Sequence, residues 1–177
     1  EGRLRVATNY DRLRRPWHDK PAVRWVDVRG KTVRPGSGSA INEAEAHAVV
    51  AEIERLVRQG YVGSIGVVSP FRAQATRIRD LVNGHDGLAA RIPDLDFLAD
   101  TVHKFQGDER DVMIFSPVVS SGANDGALGF LRSTPNLFNV AITRARAALI
   151  VVGDRSAALN CGVEYLSRFA SYAGNLE

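Results

Sequence analysis

The sequence predicts an α/β fold: a mostly parallel sheet covered by helices on both faces. Three observations carry this. Short segments rich in apolar and β-branched residues alternate along the chain with stretches of helical hydrophobic spacing. The strand-like segments are apolar at successive positions, as in strands buried on both faces. Finally, 177 residues at 45% hydrophobic and 24% charged are enough for one domain with a proper core.

Taken in order, residues 1–22 read as a basic, irregular surface arm, with Arg3, Arg5, Arg12, Arg14 and Arg15 ahead of Pro16 and Pro21. The domain proper is expected over 23–177. Ala22 to Val28 has strand character, and Gly30 to Ser39, with Pro35, Gly36 and Gly38, is a loop. Its Gly30-Lys31-Thr32 imitates the end of a phosphate loop. That motif needs a glycine at position 25, which is Trp25, so the match fails.

Ser39 or Asn42 caps the next helix, and Glu43 and Glu45 suit its positive end. Ala46, Val49, Val50, Ile53, Leu56 and Val57 then recur at helical spacing. Ser64 to Val68 is a strand running into Ser69-Pro70-Phe71. Ser69 as N-cap and Pro70 as first helical residue predict a sharp turn into a helix over 71–82.

Residues 83–94 read as a loop, 95–102 as a strand, 104–111 as a polar connection and 112–119 as a buried strand. Residues 120–129 are flexible by composition. Ser133 or Thr134, with Pro135, opens a helix that leads into Asn139-Val140-Ala141-Ile142-Thr143-Arg144-Ala145-Arg146. Leu149 to Gly153 is the last strand, Asp154 a cap, and 162–173 the final helix.

Charge and composition narrow the function classes. Net charge is +3, and only Lys20, Lys31 and Lys104 among the 23 basic residues are lysines. Arginine makes bidentate contacts to phosphate and carboxylate, so the bias weakly favours a phosphate-rich partner. No apolar run approaches the roughly 18 residues a membrane helix needs, so no membrane partner is expected. The lone Cys161 excludes an internal disulfide and a cysteine metal cage, reads as a packed thiol, and suits a cytoplasmic protein. His18, His47 and His85 show no ligand spacing. Glu43, Glu45, Glu52 and Glu54 read as a solvated helix face. The chain opens on Glu1-Gly2 without methionine, which suggests a longer parent.

Two places invite chemistry. In open parallel sheets ligands gather at the carboxyl ends of strands, which singles out Ser69-Pro70-Phe71 and Thr101-Val102-His103; the connection 105–111 is a further site of interest, because its glycine lets a ligand approach the backbone closely. Arg144 and Arg146 stand just before a buried strand. Guanidinium groups there are costly unless they meet an anion or a carboxylate. Spacing alone favours salt bridges for both.

The ordered motifs resemble those of a known family. Ser-Pro-Phe-x-x-Gln (Ser69 to Gln74), Thr-Val-His-Lys-Phe-Gln-Gly-Asp-Glu-Arg-Asp (Thr101 to Asp111) and Asn-Val-Ala-Ile-Thr-Arg-Ala-Arg (Asn139 to Arg146) resemble motifs IV, V and VI of superfamily 1B helicases. That group includes the nonsense-mediated-decay helicase and senataxin. Ser39 to Ala46 and the Gly129-Phe130-Leu131 and Val151-Val152-Gly153-Asp154 segments also fit, so the likeness covers roughly residues 23–155.

The resemblance implies the second RecA-like domain, of P-loop NTPase type, of a two-domain ATP-driven motor. ATP and Mg2+ would be bound mainly by an N-terminal RecA-like domain absent from this sequence, and the chain alone would be inactive. Arg144 matches the arginine finger; Gln106, Gly107 and Glu109 match positions near the nucleotide. Ser69, Pro70, Phe71, Thr101, Val102 and His103 match positions facing single-stranded DNA or RNA, although the family often has aspartate where His103 stands. For Phe71, base or adenine contact and core packing are both open. Gln74, Asn139, Thr143 and Arg146 match structural or coupling positions. If this holds, Arg144 should be partly exposed and Arg146 paired with a carboxylate. A non-catalytic nucleic-acid-binding module with a degenerate RecA-like fold is the competing reading.

Overall fold

The computed structural model describes residues 13–36, 38–105 and 108–176; of Val102 and His103 it describes the backbone alone. Five strands form one sheet in the order β1-β5-β4-β2-β3. They are β1 (Val23–Asp27), β2 (Ile65–Ser69), β3 (Leu98–Thr101), β4 (Arg110–Phe115) and β5 (Ala145–Gly153). Every neighbouring pair is parallel. Parallel pairing requires crossovers, and helices supply them.

Alternation along the strands sends side chains to two separate cores. Val112 and Ile114 of β4, with Ala148, Ile150 and Val152 of β5, meet α1 (Glu43–Arg58), α2 (Arg72–Asn83) and α3 (Asp86–Ala89) through Val49, Ile53, Leu56, Ile78, Val82 and Leu88. Met113, Phe115, Leu149 and Val151 face the opposite side. There they meet α4 (Asp125–Ser133), α5 (Pro135–Thr143), α6 (Arg155–Asn160) and α7 (Glu164–Gly174), through Leu131, Phe138, Ala158 and Leu166. The result is a three-layer α/β arrangement of the RecA-like kind.

Capping follows the sequence closely. Asn42 caps α1, its side chain accepting from the Glu45 N–H, and Asp154 caps α6 by accepting from the Ala157 N–H. Pro135 opens α5 behind Thr134.

Several boundaries differ from expectation. The stretch 120–129, rich in glycine, was expected to be flexible, yet α4 forms because Asn124 caps it through a bond from the Ala127 N–H. The 83–94 stretch contains α3 and the start of a short 3₁₀ turn (Pro93–Leu95) rather than only loop. β3 and β4 are shorter than the expected 95–102 and 112–119; the final helix expected over 162–173 is α7, and α6 behind Asp154 is an additional short helix. Within the expected basic arm, residues 1–12 lie outside the described residues. Arg14 is tied down, donating to the Val62 carbonyl at 2.8 Å, and Trp17 lies beneath the Arg24 guanidinium. No helix among the described residues is long and apolar enough to cross a membrane.

Candidate functional site

The candidate residues divide between opposite ends of the sheet. β4 and β5 start at Arg110 and Ala145, so Glu109 and Arg144 lie at its amino edge. β2 and β3 end at Ser69 and Thr101, which lie at the carboxyl edge. The connection carrying Glu109 thus ends at the opposite edge from the two strand ends singled out in the sequence. After β3 a 3₁₀ turn (Val102–Phe105) carries the chain away from that edge, and the connection ends at the start of β4.

At the amino edge the backbone of Arg144 is held from two sides. Its N–H donates to the Val140 carbonyl at 3.1 Å, and its carbonyl accepts from the Arg110 N–H at 3.0 Å. The side chain is half-buried, and its Nε is shielded from water with no hydrogen-bond partner. Among the described residues no carboxylate reaches it. Arg146, by contrast, pairs through Nε with Glu109 Oε2 at 3.0 Å, both side chains being about half exposed at 51% and 43%. Arg110 organises the connection: buried, it bonds the Asp96 carbonyl at 3.0 Å, the Glu109 carbonyl at 3.1 Å and the Asp108 carboxylate. Gln106 and Gly107 lie outside the described residues, as do the side chains of Val102 and His103. Asn139 is exposed, and the Thr143 hydroxyl donates back to the Val140 carbonyl at 3.2 Å.

At the carboxyl edge, Ser69 is not a helix cap and Pro70 is not the first helical residue. Ser69 still pairs with Thr101 in the sheet, and its hydroxyl accepts from the Phe71 N–H at 3.2 Å while wholly buried. Phe71 remains extended at φ −108°, ψ 122°, so α2 starts at Arg72 rather than 71. Phe71 is nearly buried and packs at 5.5 Å against the ring of Phe130. Pro70, Phe71 and Thr101 line a concavity of about 440 Å³ whose far wall is Ala127, Phe130 and Leu137. Thr101 itself bonds the side chain of Asp100 through its N–H at 2.6 Å.

Beneath this edge runs a buried polar network. Gln74, fully buried, accepts from the Asn42 N–H at 2.9 Å and donates to the Asn42 carbonyl at 3.2 Å and to Ser116 Oγ at 3.0 Å. Ser116 in turn donates to Glu45 Oε1 at 2.5 Å, which also accepts from the Val118 N–H at 2.8 Å. Val118 adopts φ 59°, a conformation that costs a β-branched residue on the order of 1–3 kcal/mol. Its carbonyl accepts from the Thr32 hydroxyl at 3.0 Å, so hydrogen bonds fix both sides of the strained peptide.

Of the acidic residues of α1 expected on a solvated face, Glu43 is exposed and Glu54 partly so, whereas Glu45 and Glu52 are buried. Glu45 is wholly buried, and burial pushes its carboxyl up to about 8, against the pull of the Ser116 and Val118 hydrogen bonds; Asp154 adds to the rise. Glu52 is also buried, clamped by Arg24 at 2.9 Å and Arg55 at 2.6 Å. The signal was present in the sequence: Glu45 and Glu52 share the helical face of Val49, Ile53 and Leu56.

Comparison with known proteins decides the family. A family model described as an AAA domain (AAA_12) matches residues 3–156. The chain belongs to the C-terminal domains of superfamily 1B helicases. It is 36% identical over 156 residues to the DNA polymerase alpha-associated DNA helicase A of Saccharomyces cerevisiae, covering 84% of this chain and 21% of that protein. It is 32% identical to helicase sen1 of Schizosaccharomyces pombe, over 81% of this chain and 9% of the relative. To the regulator of nonsense transcripts 1 homolog of Neurospora crassa it is 30% identical, over 83% of this chain and 14% of the relative. The chain therefore spans between 9% and 21% of the length of these helicases.

Proposed function

We propose that in the full-length protein this chain is the C-terminal half of an ATP-driven helicase motor. In this reading Arg144 is the arginine finger and reaches the γ-phosphate of an ATP held, with its Mg2+, mainly by an N-terminal RecA-like domain of the same protein. The observation that carries the reading is the Arg144 side chain, whose Nε is buried without a partner and which has no ion pair among the described residues, on a backbone held from both sides. A half-buried cation without a counter-charge fits an incoming phosphate, because an anion there repays the desolvation already incurred. The bound metal would neutralise phosphate charge. Arg144 would stabilise the charge that develops on the transferred phosphoryl oxygens.

Glu109 is assigned to the ribose hydroxyl. Its Oε2 is taken by Arg146, which orients the carboxylate and leaves Oε1 to accept. Gln106 and Gly107 are assigned near the nucleotide on motif position. Ser69, Pro70, Phe71, Thr101, Val102 and His103 are assigned to a track for single-stranded DNA or RNA along the carboxyl edge. Ser69 would act there through the turn it shapes, since its hydroxyl is already bonded to Phe71.

The test is Arg144→Ala in the full-length protein. ATP hydrolysis stimulated by nucleic acid should fall by roughly a thousandfold or more, with nucleic-acid affinity retained. Activity near wild type would remove the finger assignment.

A further inference from the structure

The concavity at the carboxyl edge is built for more than a backbone contact. Ala40, Phe71, Ala127, Leu137 and Phe130 give it an apolar side, and Arg34, Ser39, Arg72 and Thr101 give it a polar one. At about 440 Å³ it falls within the size range of small-molecule pockets and has room for a nucleobase. Phe130 stands at its mouth. The ring packs at a 49° tilt on Phe71 yet remains 39% exposed, so part of a large aromatic surface is left open over an apolar hollow.

A second depression of about 470 Å³ adjoins the first, with Arg72 and Thr101 shared between them. Its other lining residues are Thr76, Arg79, Asp100 and Lys104. Arg79 lies 3.8 Å from Asp100 and uses the only carboxylate there. Arg72 and Lys104 make no ion pair among the described residues. Arg72 is exposed at the first position of the 12-residue α2, whose first turn holds no acidic residue, so the helix end adds to the positive field.

An apolar slot with an open aromatic ring, beside a shelf of uncompensated cations, matches the two halves of a nucleotide in a strand. Stacking takes the base, and the cations take the phosphate. We propose that the carboxyl edge draws one unstacked base of a single-stranded nucleic acid into the Phe71–Phe130 concavity and seats the adjoining phosphate on the Arg72–Lys104 shelf. This rests on the nucleic-acid track proposed above and gives it a discrete grip point, at which the strand bends out of its stack. Recognition by a π-face tolerates any base, as a translocating motor requires.

The experiment compares two ligands on the full-length protein. One is a thymidine or uridine oligonucleotide, whichever binds more tightly; the other is an abasic backbone of the same length and sugar. Phe130→Ala should weaken the base-bearing strand by roughly tenfold or more and leave the abasic strand unchanged, and Phe130→Tyr should restore binding. Arg72→Ala should weaken both strands by a common factor and lower the salt-dependence slope by about 1. Phe130 is suited to this because its partial exposure lets it be removed without emptying the core. Equal loss on both strands, or no loss on either, overturns the base pocket while leaving nucleic-acid binding intact. A wild-type protein that binds neither strand overturns the track and the pocket together.

Discussion

The two edges of the sheet are built on opposite principles. At the carboxyl edge the polar groups of Asn42, Gln74, Ser116, Glu45, Val118 and Thr32 bond one another, largely out of water, with only Asn42 Nδ2 and Glu45 Oε2 among the buried atoms of the network left without a partner. At the amino edge the backbone of Arg144 is fixed, and its side chain makes no hydrogen bond or ion pair among the described residues. A strand laid on the first edge meets a finished surface. The second makes chemical sense only when a partner brings an anion to it. The contrast separates what this domain completes alone from what it lends to an assembly.

The sharpest way to break that contrast is to separate activity from stability at Arg144. Arg144→Ala is expected to remove ATP hydrolysis in the full-length protein, yet change the unfolding free energy of this chain by no more than about 0.5 kcal/mol, since no bond of the side chain is lost. Arg144→Lys should not rescue activity, because an ammonium lacks the planar fork. Urea unfolding alongside ATPase assays checks both. A large stability loss would mean that Arg144 is a structural residue.

Gln74 should behave in the reverse way. Gln74→Ala strands the Asn42 N–H in the interior at about 1–3 kcal/mol, and it removes one of two bonds at the Asn42 carbonyl, which keeps the Ala46 N–H, and at Ser116 Oγ, which keeps Glu45. A loss on the order of 3 kcal/mol in urea unfolding is expected. A loss below 1 kcal/mol would show that the network does not hold the edge together.

Glu45 sharpens the same point through pH. Its folded-state pKa of about 8 lies above the ordinary carboxyl value of roughly 4.3, so the folded chain binds more protons than the unfolded one between those limits. The stability this group contributes is therefore full near pH 4 and lost as pH rises through about 8, with a slope of up to about 1.4 kcal/mol per pH unit. Glu45→Gln keeps an acceptor for Ser116 and Val118 but cannot ionise, and it should remove that slope. An unchanged pH profile in the variant would show that Glu45 is ionised in the fold.

These residues also mark how far the sequence could be read. Strands β1, β2 and β5 and helices α1 and α5 follow from apolar spacing and capping residues, because burial and local hydrogen bonds are set by nearest neighbours. α4 escaped because Gly122, Gly126 and Gly129 suppress helical expectation, whereas its formation rests on the Asn124 cap and the packing of Leu131. Ser69 misled because its place is decided by pairing with Thr101, 32 positions away, rather than by Pro70 beside it. At the candidate site, motif order singled out the arginine and the strand-end residues as candidates. It did not identify Phe130 as a pocket wall, or Arg110 as the residue organising the connection to Glu109, since both roles depend on contacts made only in the folded chain.

The smallest expected effect tests the amino edge once more. The Arg146–Glu109 pair is 51% and 43% exposed, so water screens it, and such pairs contribute about 0–1 kcal/mol. Arg146→Ala should therefore leave stability within about 0.5 kcal/mol of wild type. If Arg146 orients the Glu109 carboxylate toward the ribose, the variant should instead raise KM for ATP severalfold with kcat little changed. A variant lacking the ribose 2′-hydroxyl contact supplies the control: with 2′-deoxy-ATP, wild type and Arg146→Ala should converge. Equal penalties on both nucleotides would place Arg146 outside ribose recognition and leave the pair as a surface contact of the unliganded chain.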